Sequence, residues 1–220
     1  MTYGSTLKSI ALAGLIAIGL FAQSTAAKAN TETLTVAGGC FWCVEADFES
    51  VPGVVEAVSG FAGGTAPNPT YKQVVSGGTG HLEAVQITFD SSVVSRDTLL
   101  NYFFRSIDPT DAGGQFCDRG DTYRTASFAA NNAQKSAAEK AKAEAQAELG
   151  QSIVTPVLGA GTFYPADAYH QDYYKSDERL LLTSVGLGVK ISTAYKRYRK
   201  GCGRDARVKQ LWGDTAPFVN

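Results

Sequence analysis

The chain has 220 residues, with 20 Lys and Arg against 21 Asp and Glu, so its formal net charge is −1. Hydrophobic residues make up 44% of the chain and charged residues 19%, which is typical of a globular domain and excludes disordered, collagen-like and coiled-coil chains. The near-neutral charge argues against a dedicated nucleic-acid binder, and four cysteines are too few for a disulfide scaffold.

Residues 1–29 have the pattern of a secretory signal peptide. One basic residue precedes an apolar and glycine run from Ile10 to Ala22, and a small-residue cleavage pattern ends at Ala29. The run is about 13 residues long, against the roughly 20 that span a bilayer, so a retained membrane anchor is the weaker alternative. Cleavage would leave residues 30–220 as one domain, secreted or periplasmic, with 18 basic and 21 acidic residues and no membrane attachment.

Apolar periodicity and turn residues predict alternating strands and helices along the mature chain. Strands are predicted at 31–36, 54–61, 81–89, 123–129 and 153–158, helices at 40–50, 95–105 and 131–149, short helical turns at 71–75 and 169–174, and a loop at 108–120. Beyond Lys175 the pattern is weak, and the basic stretch from Lys196 to Lys209 is predicted to be a solvated face. The element order predicts a two-layer α/β fold: a ferredoxin-like split β-α-β core, an extra helix and strand, and a loop-rich C-terminal tail.

Cys40 is the strongest candidate for chemistry. It follows the turn-forming pair Gly38-Gly39, where a predicted strand gives way to a helix. Unpaired N–H groups and the dipole at a helix N-terminus favour a thiolate, so they should lower the pKa of Cys40 and make it a nucleophile. The alternative is a small buried core residue, the usual place for a free cysteine.

Several segments around and after Cys40 resemble one enzyme family. In chain order they are Gly39-Cys40-Phe41-Trp42, Pro69-Thr70-Tyr71, Thr79-Gly80-His81-Leu82-Glu83, Cys117-Asp118-Arg119-Gly120-Asp121-Thr122-Tyr123-Arg124-Thr125, and Phe163-Tyr164-Pro165-Ala166 with Tyr169-His170-Gln171. They are similar to the motifs of the A-type peptide methionine sulfoxide reductases. The resemblance implies a monomeric enzyme, without metal or organic cofactor, that reduces methionine S-sulfoxide, free or in proteins, to methionine.

The resemblance also implies a role for each matched residue. Cys40 would attack the sulfoxide sulfur, and Glu83 would protonate the sulfoxide oxygen. Tyr71 and Tyr123 would hydrogen-bond that oxygen, and Asp118 would help to organise the site. The residues that would contact the rest of the substrate are Phe41, Trp42 and His170.

Glu83 occupies a strand position that suits an acid catalyst. It shares one face of its predicted strand with Val85, Ile87 and Phe89. Burial on that apolar face should raise the pKa of the carboxyl and keep it protonated near neutral pH. Without the resemblance, a solvated carboxylate at a strand edge is the simpler interpretation.

Three further cysteines could regenerate the nucleophile. Attack would leave a sulfenic acid on Cys40, which a resolving thiol would convert to a disulfide for a thioredoxin-like donor to reduce. Cys43 is favoured because the Cys-x-x-Cys spacing needs no tail movement, and Cys117 and Cys202 would then form a structural or relay disulfide. In the second scheme, Cys202 resolves and Cys43 is a buried bystander.

Other functions are weaker alternatives. His81 and His170 lack zinc-site spacing with the cysteines, and the sequence has no glycine-rich phosphate loop, so neither a metal nor nucleic acid is expected. A thiol–disulfide oxidoreductase would use Cys40 and Cys43 but would leave Glu83 without a role. A non-catalytic binder of oxidised methionine peptides would not need Cys40.

Overall fold

The structure is a computed structural model that describes residue 1, residues 30–183 and residues 186–219. The predicted signal peptide at 1–29 lies, apart from Met1, outside the described residues. Among the helices that are described, none is long and apolar enough to cross a membrane.

Strands and helices alternate along most of the chain. The strands are β1 (Thr31–Gly38), β2 (Val54–Ala62), β3 (Leu82–Asp90), β4 (Gly114–Gln115), β5 (Asp118–Arg119), β6 (Thr125–Ala129), β7 (Val157–Gly159), β8 (Tyr164–Pro165), β9 (Arg179–Thr183) and β10 (Gly186–Lys190). The helices are α1 (Phe41–Glu49), α2 (Tyr71–Val75), α3 (Arg96–Arg105), α4 (Asn132–Leu149), α5 (Ile191–Cys202) and α6 (Arg204–Trp212).

The main sheet has the strand order β7-β6-β1-β3-β2-β8. Its central strands β6-β1-β3-β2 pair antiparallel, and α1 and α3 connect β1 to β2 and β3 to β6. This is the split β-α-β core that the element order predicts, so the fold class is confirmed. The extra helix and strand are α4 and β7, and β7 pairs parallel to β6.

One face of the sheet carries the main hydrophobic core. Val85, Ile87 and Phe89 of β3 are fully buried and belong to one apolar cluster with residues of α1, α3 and α4. Side chains alternate across a strand, so Glu83 lies on this same face. Its position places a carboxyl at the end of an apolar row, beside the start of α1.

Four predicted segments are built differently in the structure. The strand at 123–129 starts only at Thr125, because residues 121–123 form a 3-10 turn. The strand predicted at 153–158 is shorter and starts later: β7 begins only at Val157, because Pro156 has no N–H to donate to a sheet. The helical turn at 169–174 is two 3-10 turns separated by Asp172, whose φ of +56° interrupts a helix. The loop at 108–120 also contains the β4–β5 hairpin.

The C-terminal tail is more ordered than its sequence suggests. Instead of a loop-rich segment it contains the β9–β10 hairpin and two helices, α5 and α6, separated by Gly203 in the left-handed conformation. The prediction that Lys196 to Lys209 is a solvated face is wrong for Arg204, which is 2% exposed, and for Arg199, whose side chain is 13% exposed. Both arginines turn inward because buried oxygen atoms accept hydrogen bonds from them.

Candidate active site

A tight turn places Cys40 at the start of α1. Gly39 has a φ of +81°, a conformation that disfavours any side chain, and a Cβ there would lie 2.6 Å from the Cβ of Gln115. Cys40 then occupies the N-cap position of α1 and is 5% exposed. The Gly-Gly turn therefore brings the thiol to the helix N-terminus, as the sequence predicts.

Glu83 lies directly beside this helix N-terminus. Its Oε2 accepts a hydrogen bond of 2.9 Å from the backbone N–H of Phe41, and its side chain is buried. Burial, with a smaller contribution from the nearby Asp118, raises the pKa of Glu83 to about 8, although the hydrogen bond from Phe41 lowers it. The carboxyl is therefore predominantly protonated at neutral pH, in the predicted direction.

Most of the predicted site residues surround one small cavity. Its volume is about 130 Å³, and the lining residues are Cys40, Phe41, Trp42, Tyr71, Glu83, Asp118, Tyr123 and Tyr198. Tyr71 begins α2, whose N-terminus is fixed by a capping box between Thr70 and Gln73. Tyr123 ends the 3-10 turn before β6. Burial and the nearby Glu83 raise the pKa of both phenols, so both remain neutral hydrogen-bond donors.

An aromatic stack forms one wall of the cavity. The Trp42 ring is stacked on Tyr173, with 3.8 Å between centroids and an interplanar angle of 6°. The His170 ring contacts Trp42 at 5.7 Å, Tyr71 at 4.2 Å and Phe41 at 5.5 Å. His170 is buried, and this desolvation lowers its pKa, so the imidazole is neutral at pH 7.

Cys40 and Cys43 are free thiols, and both are buried. Burial, a hydrogen bond to Cys43 and the nearby carboxyls raise the pKa of Cys40. The hydrogen bond from Cys40 and the guanidinium groups of Arg204 and Arg199 lower the pKa of Cys43. The prediction of a lowered pKa at Cys40 is therefore wrong for the resting site, because burial and the neighbouring Cys43 raise it most and the carboxyls of Glu83 and Asp118 raise it further.

Cys117 and Cys202 form a disulfide across 85 residues. Cys117 is exposed and Cys202 is half-buried at the end of α5. Both sulfur atoms lie about 4 Å from the Asp118 carboxylate, at 4.0 and 3.8 Å. This pairing matches the scheme in which Cys43 remains available for Cys40, and it leaves Cys202 without a free thiol.

Two clusters of metal-ligating atoms occur in the part of the chain that the structure describes. In the first, the sulfur atoms of Cys117 and Cys202 flank Asp118 but are joined to each other. In the second, Glu49 lies with two other carboxylates but already accepts from Tyr174 and Lys175. Neither cluster offers the free ligand set of a structural zinc site.

The sequence motifs and the site geometry agree with the comparisons to known proteins. The family model described as "Peptide methionine sulfoxide reductase" matches residues 32–202. The chain belongs to the peptide methionine sulfoxide reductase family.

Individual relatives support this family assignment. The peptide methionine sulfoxide reductase MsrA 2 of Rhizobium meliloti is 48% identical over 87% of this chain and 88% of its own. The MsrA of Bacillus licheniformis is 46% identical over 83% of this chain and 94% of its own. Methionine sulfoxide reductase A of Corynebacterium diphtheriae has a similar structure, with a TM-score of 0.63 and 32% identity over 72% of this chain and 82% of that one.

This member of the peptide methionine sulfoxide reductase family has site residues that motif reasoning did not identify. Tyr198 lines the cavity and donates a hydrogen bond to Asp118. Arg199 and Arg204 both approach Asp47 of α1, and Arg204 also donates to the carbonyls of Gly38 and Ser106. The available signal was the apolar and aromatic spacing of Ile191, Ala194, Tyr195 and Tyr198, which indicates a helix with one buried face.

Proposed function

We propose that the protein reduces methionine S-sulfoxide to methionine, in proteins and as the free amino acid, with Cys40 as nucleophile. The observation that carries the proposal is the placement of Cys40 beside a protonated Glu83 in one small cavity. A sulfoxide oxygen leaves only when protonated, so a thiol next to a buried acid suits this reaction. Disulfide exchange alone would need no such acid.

The sulfoxide would bind with its sulfur facing Cys40. The Cys40 sulfur forms a bond to the sulfoxide sulfur while Glu83 gives its proton to the oxygen. Tyr71 and Tyr123 donate hydrogen bonds to that oxygen and stabilise the charge that develops on it. When the intermediate collapses, the protonated oxygen passes to the Cys40 sulfur, and the bonds from the substrate sulfur to Cys40 and to the oxygen break. Methionine leaves, Cys40 is left as a sulfenic acid, and the proton lost by the Cys40 thiol restores the Glu83 carboxyl.

The surrounding side chains would select the rest of the substrate. Phe41 and Trp42 offer an apolar wall to the methyl group, and the neutral His170 adjoins both rings. Asp118 accepts a hydrogen bond from Tyr198 and so holds α5 against the cavity. We assign selection of the S epimer to the fixed positions of the acid, the phenols and this wall.

Cys43 would then resolve the sulfenic acid. It is the free thiol hydrogen-bonded to Cys40, whereas Cys202 is bonded to Cys117. Condensation forms a Cys40–Cys43 disulfide and water, and a thioredoxin-like dithiol would reduce that disulfide. No metal or organic cofactor takes part in this cycle.

We further propose that the mature protein acts as a monomer outside the cytoplasm, secreted or periplasmic. The signal-peptide pattern of residues 1–29 supports this location. A disulfide such as Cys117–Cys202 persists in an oxidising compartment, which is consistent with export.

The test is turnover of the two methionine sulfoxide epimers with dithiothreitol as reductant. The parent should produce methionine from the S epimer and not from the R epimer. Cys40→Ser should produce none, because a hydroxyl cannot replace the sulfur nucleophile. Rapid insulin reduction by the parent without any methionine would instead support the thiol–disulfide oxidoreductase and contradict the proposal.

A further inference from the structure

A buried cluster of three charged side chains lies behind the two free thiols. Arg199 Nη1 is 2.6 Å from Asp47 Oδ1, and Arg204 Nε is 3.8 Å from Asp47 Oδ2. Arg204 is 2% exposed and Asp47 is 5% exposed. Charged residues are rarely buried to this degree unless an opposite charge is paired with them.

The cluster lies on the side of α1 that carries Cys43. Asp47 follows Cys43 by four residues, so the two side chains share one face of the helix. Arg199 Nη1 also donates to the hydroxyl of Tyr195 at 3.1 Å, and Tyr195 packs in the same cluster as Cys40 and Cys43. The cluster therefore adjoins Cys43 along its own helix face, through Asp47, and along α5, through Tyr195.

The positive charge of the cluster is only partly compensated. Arg204 donates its other nitrogens to the carbonyls of Gly38 and Ser106, which carry no net charge. Its Nε and the facing Asp47 Oδ2 have no hydrogen-bond partner among the described residues. One buried carboxylate thus serves two arginines, and the further carboxylate on Arg199, Asp205, is 42% exposed and screened by solvent.

We propose that Arg199 and Arg204 are positioning residues that hold Cys43 as a thiolate and thereby make it the thiol that resolves Cys40. The inference rests on the proposed function. The Cys43 sulfur forms a bond to the Cys40 sulfur, and the bond between Cys40 and its oxygen breaks. The oxygen leaves as hydroxide and takes one proton to become water, so two thiol electrons reduce the sulfenic acid.

The surrounding ionisable groups favour this charge state. In the resting pair the hydrogen bond from the Cys40 thiol lowers the pKa of Cys43 most, and the guanidinium groups of Arg204 and Arg199 lower it further. Only the two guanidinium groups keep this effect once Cys40 carries the oxygen. Burial and the Asp47 carboxylate oppose them, and Glu83 is predominantly protonated near neutral pH. An attacking thiol acts through its thiolate fraction, so losing one guanidinium should slow resolution.

The experiment measures two steps of one turnover with an S-sulfoxide peptide and no external thiol. Methionine release reports attack by Cys40, and dimedone trapping reports how long the sulfenic acid survives. Four proteins are compared: the parent, Arg199→Gln, Arg199→Lys and Asp47→Asn. Thermal unfolding of each variant confirms that it is folded.

The proposal predicts that the two partners of one ion pair affect the rate of sulfenic-acid loss differently. Arg199→Gln should slow loss of the sulfenic acid at least about tenfold, the effect of about one pKa unit on a thiolate fraction. Arg199→Lys should restore most of the rate, and Asp47→Asn should resolve as fast as the parent or faster. A merely structural cluster would make Asp47→Asn and Arg199→Gln equally slow.

Three results would overturn the proposal: equal slowing by both charge-removing variants, no slowing by Arg199→Gln, or no rescue by Arg199→Lys. Each of these three results is interpretable only if the protein releases methionine in the first turnover. Absence of methionine from the parent would instead contradict the proposed function, so the two failures are distinguishable.

Discussion

The protein holds two cysteine pairs in opposite environments. Cys40 and Cys43, three residues apart, are free thiols that are 5% and 2% exposed beneath aromatic rings. Cys117 and Cys202, 85 residues apart, are bonded to each other at the surface. The first pair has Glu83, three phenols and two arginines around it, whereas the second has only the Asp118 carboxylate, which the two pairs share. Under the proposed function, the buried pair carries the sulfur chemistry and the surface pair anchors α5.

The two pairs are nevertheless connected through α5. Tyr198 lines the cavity of the buried pair, and Cys202 lies one helical turn later in the surface pair. Asp118 accepts from Tyr198 and lies within 4.0 Å of both disulfide sulfurs. The disulfide thus fixes the end of the helix that covers the reactive thiols.

The largest expected effect is on repeated turnover. Cys43→Ser should release one methionine per protein and then stop with a thioredoxin-like reductant, since no thiol remains to form the reducible disulfide. The matched double variant Cys117→Ser with Cys202→Ser should continue to turn over. Steady-state methionine production measures both. Sustained turnover by Cys43→Ser, or its loss in the double variant, would assign resolution to Cys202 instead.

Replacing Glu83, the proposed acid, should have the next largest effect, on the rate of methionine release. Glu83→Gln keeps an acceptor for the Phe41 N–H but cannot donate a carboxyl proton, so methionine release should fall about 10²- to 10⁴-fold. Rapid-quench measurement of the first turnover checks this. A rate within about threefold of the parent would exclude Glu83 as the acid.

The same substitution should change how stability depends on pH. The folded pKa of Glu83 is about 8, above its ordinary value of 4.5, so the unfolded chain ionises first. The stability from this group is full below pH 4.5 and is lost as pH rises toward 8. Glu83→Gln should therefore lose less free energy of unfolding between pH 5 and pH 8 than the parent, by on the order of a few kcal/mol. Urea unfolding at the two pH values tests this, and identical losses would contradict it.

Replacing the surface pair should have the smallest effect on methionine release. It should nevertheless lower the free energy of unfolding clearly. Replacing Cys117 and Cys202 by Ser removes a link that spans 85 residues, and the free energy of unfolding should fall by about 2–4 kcal/mol. Methionine release in the first turnover should stay within about threefold of the parent, because neither sulfur lines the cavity. An unchanged urea midpoint would show that the disulfide does not anchor α5.

The sequence was sufficient for the core of the fold and for most of the cavity. Strand alternation placed Glu83 on the buried face, and the Gly38-Gly39 turn placed Cys40 at a helix start, because both depend on neighbouring residues. The family motifs then brought together residues that lie far apart in the chain, such as Tyr71 and Tyr123. Their catalytic roles remain predictions.

The C-terminal part could not be predicted in the same way. A run of basic residues is usually solvated, and only the fold shows that Arg204 finds buried carbonyls and Arg199 finds Asp47. The expected direction of the pKa of Cys40 was also wrong, because burial in the fold, the neighbouring Cys43 and the carboxyls of Glu83 and Asp118 all raise it. Electrostatics between distant segments was the missing information.

The most direct test of the account maps disulfides after one turnover. Protein with the Cys117–Cys202 bond intact and two free thiols is mixed with an S-sulfoxide methionine peptide, without reductant, and the cysteine pairs are identified by mass spectrometry. The account predicts one methionine per protein, a new Cys40–Cys43 disulfide and an unchanged Cys117–Cys202 bond. Methionine release accompanied by a Cys40–Cys202 disulfide would contradict the division of roles between the buried and the surface pair.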